Sequence, residues 1–310
     1  MNAARVGIVW NPSKTSREDL EQAIPSDRSD DLSWHETSPD DPGRAATRAA
    51  LDAGATLVLA AGGDGTVRAV AEELAGSAEA DLGIIPLGTG NLLARNLRVP
   101  LGDPAAACDR AFSEEGTEID LGWVELTRAD GGTERHAFAV MAGFGIDAHM
   151  ITETDDDLKA RAGWLAYVES LGRAVAASEV IDLQLARDGG AAIDEHAHTL
   201  IVGNCGMLQG GITLLPDADP SDGKLDLLLL RADGVAGWAD TLRNMVWDNG
   251  VKRMLTGGDS AESSASAAHE RFTALTVDLA EPRVFEVDGD ELGEVSRIEI
   301  SVQPGALRVR

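Results

Sequence analysis

The chain has 310 residues, 44% of them hydrophobic and only 2 of them cysteine, a composition that supports buried cores and excludes a disordered chain or a disulfide-framed miniprotein. Acidic residues outnumber basic ones 53 to 26, giving a formal net charge of −27; with no basic stripe for a phosphate backbone, nucleic-acid partners are excluded. The same charge opposes approach to an anionic membrane.

In chain order, Arg5 to Trp10 reads as an opening strand, Leu32 to Glu36 as a weaker one, and Gly43 to Ala53 as a helix, the start of an α/β fold. Thr56 to Ala61 predicts a buried strand running into glycines, with a helix from Val67 to Leu74 behind them. Leu82 to Ile85 repeats the plan and leads through Pro86-Leu87-Gly88-Thr89-Gly90 into a helix over Asn91 to Leu97. Met1 to Trp10 lacks the apolar core of a signal peptide, and no segment approaches the roughly 20 apolar residues of a membrane span. A cytoplasmic location is expected.

Near Ile119-Asp120-Leu121-Gly122 the texture turns to β-hairpins, with turn signals at Asp130-Gly131-Gly132 and Asp188-Gly189-Gly190. The expected organisation is an α/β domain over residues 1–118 with a Rossmann-like parallel sheet, then a β-rich domain over 119–310 whose last strand can return to the first. Helical segments are expected near Leu158 to Ala177 and Val235 to Leu255, a mobile loop over Gly257 to Ala268, and strands from Phe272 to Arg310. Cys108 and Cys205 stand far apart, outside any CxxC spacing, and are expected to be small buried residues. His196-Ala197-His198 alternates along a strand and is expected at the surface.

Ligands of open parallel sheets bind beyond the carboxyl ends of the strands. Asn11-Pro12-Ser13, Thr37-Ser38, Gly62 to Thr66 and Gly88-Thr89-Gly90-Asn91 occupy those ends, small or polar residues whose amides a phosphate can approach. Asp64 breaks that pattern. A carboxylate among phosphates is repulsive unless it binds Mg2+ or takes a proton, so it points to catalysis beyond anion capture. Neither the GxxxxGK[ST] loop nor the protein-kinase set is present.

Gly62-Gly63-Asp64-Gly65-Thr66, Pro86 to Asn91, Pro216-Asp217-Ala218 with Asp222-Gly223-Lys224-Leu225-Asp226, and Val287-Asp288-Gly289-Asp290 follow one another along the chain. In that order the motifs resemble the diacylglycerol kinase catalytic-domain family, which includes sphingosine and ceramide kinases and is distantly related to NAD kinase. The resemblance implies ATP and Mg2+, with Asn11, Thr37, Gly62, Gly63, Asp64, Gly65, Thr66, Gly88, Thr89 and Asn91 at the nucleotide. It also implies a structural Mg2+ held by Asp222 and by the carbonyl oxygens of Leu225 and Leu227, a donor set of hard oxygens. Asp120 resembles a position linking that metal to the active site through water; a strand-end polar residue is the alternative.

In the family's D-G-E motif the Glu takes the proton of the lipid hydroxyl. Here the motif reads Asp288-Gly289-Asp290-Glu291, so both Asp290 and Glu291 are candidate bases beside Asp64. Other departures are Arg68-Ala69 where many relatives have Asn-Glu, Leu92 where many have Asp, and Lys14-Thr15 without the usual nearby Gly. Arg68 reads as a solvated helix residue or as a charge compensating a lost polar contact. The apolar faces Trp164, Leu165, Val168, Leu171, Val175 and Trp238, Leu242, Met245, Val246 are core stripes or the rim of an acyl groove.

The resulting expectation is an ATP-dependent lipid kinase of NAD kinase/diacylglycerol kinase-like fold. Its substrate is a lipid at a membrane surface, diacylglycerol first; it has no transmembrane segment, and a homodimer is left open. The alternatives are an NAD-kinase-like enzyme with a soluble acceptor and a non-catalytic nucleotide- or lipid-binding regulator.

Overall fold

A computed structural model describes residues 5–26, 31–77, 80–113, 115–145, 180–209, 213–231 and 267–310. The expected helices near 158–177 and 235–255, with their apolar faces, lie outside the described residues, as does 257–266 of the expected loop.

The first half follows the apolar pattern. Strands β1 (Val6–Trp10), β2 (Leu32–Glu36), β3 (Leu57–Gly62) and β4 (Asp81–Pro86) run parallel in the spatial order β2, β1, β3, β4. Every residue of β3 is buried, as a central parallel strand covered on both faces requires. Helices α2 (Arg44–Asp52) and α3 (Asp64–Leu74) cover one face, and α1 (Arg17–Ala23) and α5 (Pro104–Ser113) the other; α4 (Leu92–Asn96) is a short turn after β4.

Two differences from the sequence reading are local. Helix α3 starts at Asp64 rather than Val67, because extended Gly63 caps it and the loop residues themselves form its first turn. Helix α1 lacks a marked apolar stripe, yet a Ser16 cap announces it: the Asp19 amide donates to Ser16 Oγ at 3.1 Å, and Ser16 Oγ donates to Asp19 Oδ2 at 2.6 Å.

The second half is built from β5 (Thr117–Thr127), β6 (Thr133–Phe138), β7 (Met141–Phe144), β8 (Ile181–Arg187), β9 (Ile193–Ala197), β10 (Thr199–Gly203), β11 (Leu225–Leu230), β12 (Ala267–Phe272), β13 (Ala274–Val287) and β14 (Asp290–Val309). Both glycine turn signals join hairpins, β5 to β6 and β8 to β9. Ile181, Leu183 and Leu185 of β8 point inward while Asp182 and Gln184 point out. They join Phe138, Phe272 and Phe285 in a second core.

Among the described residues all fourteen strands form one sheet, because β14 crosses between the halves. It pairs along most of its length with β13 and β5, and at its end Val309 lies parallel to Leu82 of β4. The Arg310 amide then donates to the Leu82 carbonyl at 3.0 Å.

Cys108 and Cys205 are both buried, which pushes their thiols up. His198 corrects a surface expectation: His196 is exposed, but His198 is buried beside Thr199, whose Oγ1 lies 2.7 Å from its Nδ1. No helix among the described residues is long and apolar enough to cross a membrane.

Candidate active site

Parallel register brings four strand ends to one edge: Trp10 stands opposite Glu36 and Ala61, and Gly62 opposite Pro86. The residues just beyond them form the floor of the site. Thr37 is buried, its amide donating to the Trp10 carbonyl at 2.9 Å. Asn11 Oδ1 accepts from the Ser13 amide at 2.9 Å and from its hydroxyl at 2.7 Å, so this side chain shapes its own loop.

Glycine is needed here because the two loops touch backbone to backbone. A Cβ on Gly88 would lie 2.7 Å from Gly63 Cα, and one on Gly62 would lie 2.5 Å from Oγ1 of Thr66, whose buried side chain folds over the end of β3. The Val67 amide is the first of α3 to close a turn, onto the Gly63 carbonyl at 3.0 Å; the amides of Gly65 and Thr66 are left as donors at the positive end of the helix.

Asp64 ties this loop to the next one. Its Oδ2 accepts from the Asn91 amide at 2.8 Å and its Oδ1 from the Leu92 amide at 2.6 Å. Burial raises its pKa, the two amides lower it, and the charge of Asp290 raises it again. Asn91, in the left-handed region, accepts from the Gly88 amide at 2.9 Å and donates to the Gly88 carbonyl at 2.7 Å. Asn91 therefore holds its own loop, and exposed Thr89 is left at the tip. Arg95, which the sequence reading passed over, braces the same loop, its Nε donating to the Gly90 carbonyl at 2.6 Å; its place one helical turn beyond Asn91 was the available signal.

The remaining groups arrive from the second half on one turn. Asp288 and Gly289, both at positive φ, connect Val287 to Asp290, the two-residue hairpin of a D-G pair. Asp288 is buried, and its carboxylate accepts from the amides of Ala139 at 2.8 Å and of Val140 and Met141 at 2.9 Å. Burial nonetheless pushes its pKa to about 6, against those amides and the nearby Arg68 charge.

That clamp carries Asp290 to the phosphate loop. A Cβ built on Gly65 would be 3.5 Å from Asp290 Oδ2, and Arg68 Nη2 donates to the same oxygen at 2.5 Å. Arg68 thus departs from the solvated reading: it is only 7% exposed, because the turn closes over the first two turns of α3. Glu291 is exposed, pairs in register with Glu286, and by strand alternation projects from the face of β14 opposite to Asp290. Of the two candidate carboxylates, the structure brings Asp290 to Asp64 and turns Glu291 away.

The expected Mg2+ ligands have partners within the protein. Asp222 Oδ1 accepts from the Lys224 amide at 3.0 Å, while the Arg271 guanidinium pairs with its Oδ2. The Leu230 carbonyl accepts from His198 on the β10 side. Carbonyls alternate along a strand, so those of Leu225 and Leu227 turn the other way, into the ladder with Phe272 and Glu270 of β12. The Asp222 carboxylate is thus paired with a guanidinium, and the two carbonyls lie in a strand ladder. Among the described residues no three His, Cys, Asp or Glu side chains form a metal cluster. Asp120 is buried and accepts from the Gly223 amide at 2.7 Å and the Gly305 amide at 2.8 Å, fastening the loop before β11 to β14.

An edge of phosphate-sized amides faced by a carboxylate from a second domain suits transfer of a phosphoryl group. Residues 6–124 match the model of the diacylglycerol kinase catalytic domain, and residues 140–310 that of the YegS C-terminal NAD kinase beta sandwich-like domain. A Pseudomonas aeruginosa protein named "Probable lipid kinase YegS-like" is 33% identical over 100% of this chain and 95% of its own. A Mycobacterium tuberculosis diacylglycerol kinase is 31% identical over 60% of this chain and 58% of its own. The crystal structure of a diacylglycerol kinase from Bacillus anthracis, 19% identical, superposes with a TM-score of 0.68 over 100% of this chain and 97% of that one. The chain belongs to the family of YegS-like lipid kinases, built from a diacylglycerol kinase catalytic domain and an NAD kinase-like β-sandwich domain.

Proposed function

We propose that this lipid kinase transfers the γ-phosphate of ATP to a lipid hydroxyl, with diacylglycerol as acceptor and phosphatidic acid as product. One observation carries the reading: the Asp290 carboxylate, delivered by the second domain, stands against Gly65 in the first turn of the phosphate loop helix. A bound nucleotide would lay its phosphates along the Gly62 to Thr66 loop and the Gly88 to Gly90 loop, whose backbone contact leaves no room for a Cβ. Mg2+ bound with the nucleotide would supply charge neutralisation, and Asp64, whose carboxylate is already burdened by burial and by Asp290, would hold it. Asp290 takes the proton of the acceptor hydroxyl as its oxygen attacks in line. The Gly65 and Thr66 amides and the helix dipole hold the phosphoryl charge.

Incubation of the purified chain with labelled ATP and Mg2+, with diacylglycerol in mixed micelles and with NAD, tests the proposal. Label in phosphatidic acid is expected. Label in NAD with none in any lipid would overturn it in favour of a soluble acceptor.

A further inference from the structure

Arg68 and Asp290, two of the positions at which the chain departs from the motifs it resembles, are separated by 222 residues, and their side chains meet at 2.5 Å. We propose that they act as one unit: Arg68 is a positioning residue that holds Oδ2 of Asp290 over the phosphate loop and leaves Oδ1 to accept the proton of the acceptor hydroxyl. The inference rests on the phosphotransferase reading above and assigns a role that this reading does not need.

Three observations carry it. Arg68 lies one helical turn beyond Asp64 on α3, so both point toward the side on which the Asp288-Gly289 turn descends. Its guanidinium is committed there. Among the described residues Nε and Nη1 are buried without a partner while Nη2 meets Asp290, and an ordinary helix arginine would avoid that cost by turning to water. At Asp290, Oδ2 carries the arginine bond, and no bond holds Oδ1 among the described residues.

The charges around the carboxylate give the arginine a second use. Asp64 on α3 lies within electrostatic reach of Asp290, and buried Asp288 on the turn within reach of Arg68, whereas Glu291 projects from the other face and Glu72, further along α3, is paired with Arg44 at 3.0 Å. Arg68 is the cation among three carboxylates. An aspartate is one methylene shorter than a glutamate, and the arginine fixes its place. In the step itself the hydroxyl O–H bond breaks and its proton passes to Oδ1. The freed oxygen bonds to the γ-phosphorus, and the bond from that phosphorus to the β-phosphate oxygen breaks, releasing ADP.

A double-mutant cycle with Arg68→Asn, Asp290→Glu and the double variant tests the coupling, with Arg68→Lys as the conservative control and kcat, KM for ATP and Tm read for each. Each single variant is expected to lower kcat about 30-fold with KM for ATP within about threefold, and the double variant to recover at least tenfold over the product of the two losses. Arg68→Lys, which keeps the positive charge and can still donate to Asp290, is expected to retain kcat within about fivefold. The coupling is overturned if the losses multiply, or if the kcat loss of Arg68→Asn follows its Tm and disappears in a colder assay. If Arg68→Asn does not fold, Arg68→Gln takes its place in the cycle and is judged by the same rule. A wild-type chain that labels NAD and no lipid sinks the lipid reading alone; the cycle is then run on NAD and judged by the same rule.

Discussion

Oδ1 of Asp64 lies 2.6 Å from the amide nitrogen of Leu92, so the carboxylate that opens α3 also opens α4. One side chain sets the spacing of the two loops that line the proposed phosphate path. Asp64→Asn retains one acceptor oxygen but turns an NH2 group toward a backbone amide. Transfer is expected to fall at least about 10²-fold, with about 1–3 kcal/mol lost from stability. Labelled phosphate transfer and urea unfolding measure the two effects; turnover near the wild-type rate would show that the side chain acts only in tying the loops.

Gly88→Ala tests the loop contact from its other side. The added Cβ would meet Gly63 Cα at 2.7 Å and Asn91 Oδ1 at 2.9 Å, a backbone clash that no rotamer relieves. The expected cost is about 1–3 kcal/mol, with weaker ATP binding by calorimetry. Unchanged affinity would mean that the loops part without consequence for the nucleotide.

Asp290 and Glu291 are adjacent in the chain and opposite in space. Asp290→Asn is expected to reduce kcat by about 10²- to 10⁴-fold, the usual contribution of a general base, and Glu291→Gln by no more than about threefold. Steady-state rates on mixed micelles separate them. The reverse ranking would place the acceptor on the other face of β14.

Asp288 gives a pH signature of definite sign. Its folded pKa of about 6 lies above the ordinary carboxylate value of 3.8, so between those limits the native chain keeps a proton that the unfolded chain has lost. The contribution of Asp288 to stability is therefore fully present below about pH 4 and is lost as pH rises through 6, on the order of 3 kcal/mol in all. Unfolding free energy measured from pH 4 to 7 should show a smaller decline in Asp288→Asn than in the wild type. Parallel curves would show that the three amides hold the charged carboxylate without penalty.

The first half of the fold was legible because buried parallel strands are continuous apolar runs, and Leu57 to Ala61 is one. The strand ends Asn11, Thr37, Gly62 and Gly88 followed from that reading. What Asn91, Asp120 and Arg68 do was not legible. Each reaches a partner chosen by the tertiary path: Asn91 curls onto Gly88, Asp120 binds amides 103 and 185 residues away, and Arg68 meets a turn that arrives from the far end of the chain. Helical position exposed Arg68 to solvent in a helix considered alone; the turn that buries it belongs to another domain. Leu225 and Leu227 show the same limit, since only the register with β12 reveals where their carbonyls point.

Strand β14 sets an order of events for the newly made chain. The parallel sheet gains its partner beside Leu82 only when Val309 arrives, and until then β4 carries an open edge. Such late, distant pairing slows folding and leaves a hydrogen-bonding surface available to neighbouring chains. During synthesis the nucleotide half is thus a sheet awaiting its last strand, and it is that strand which brings Asp290 to the loop.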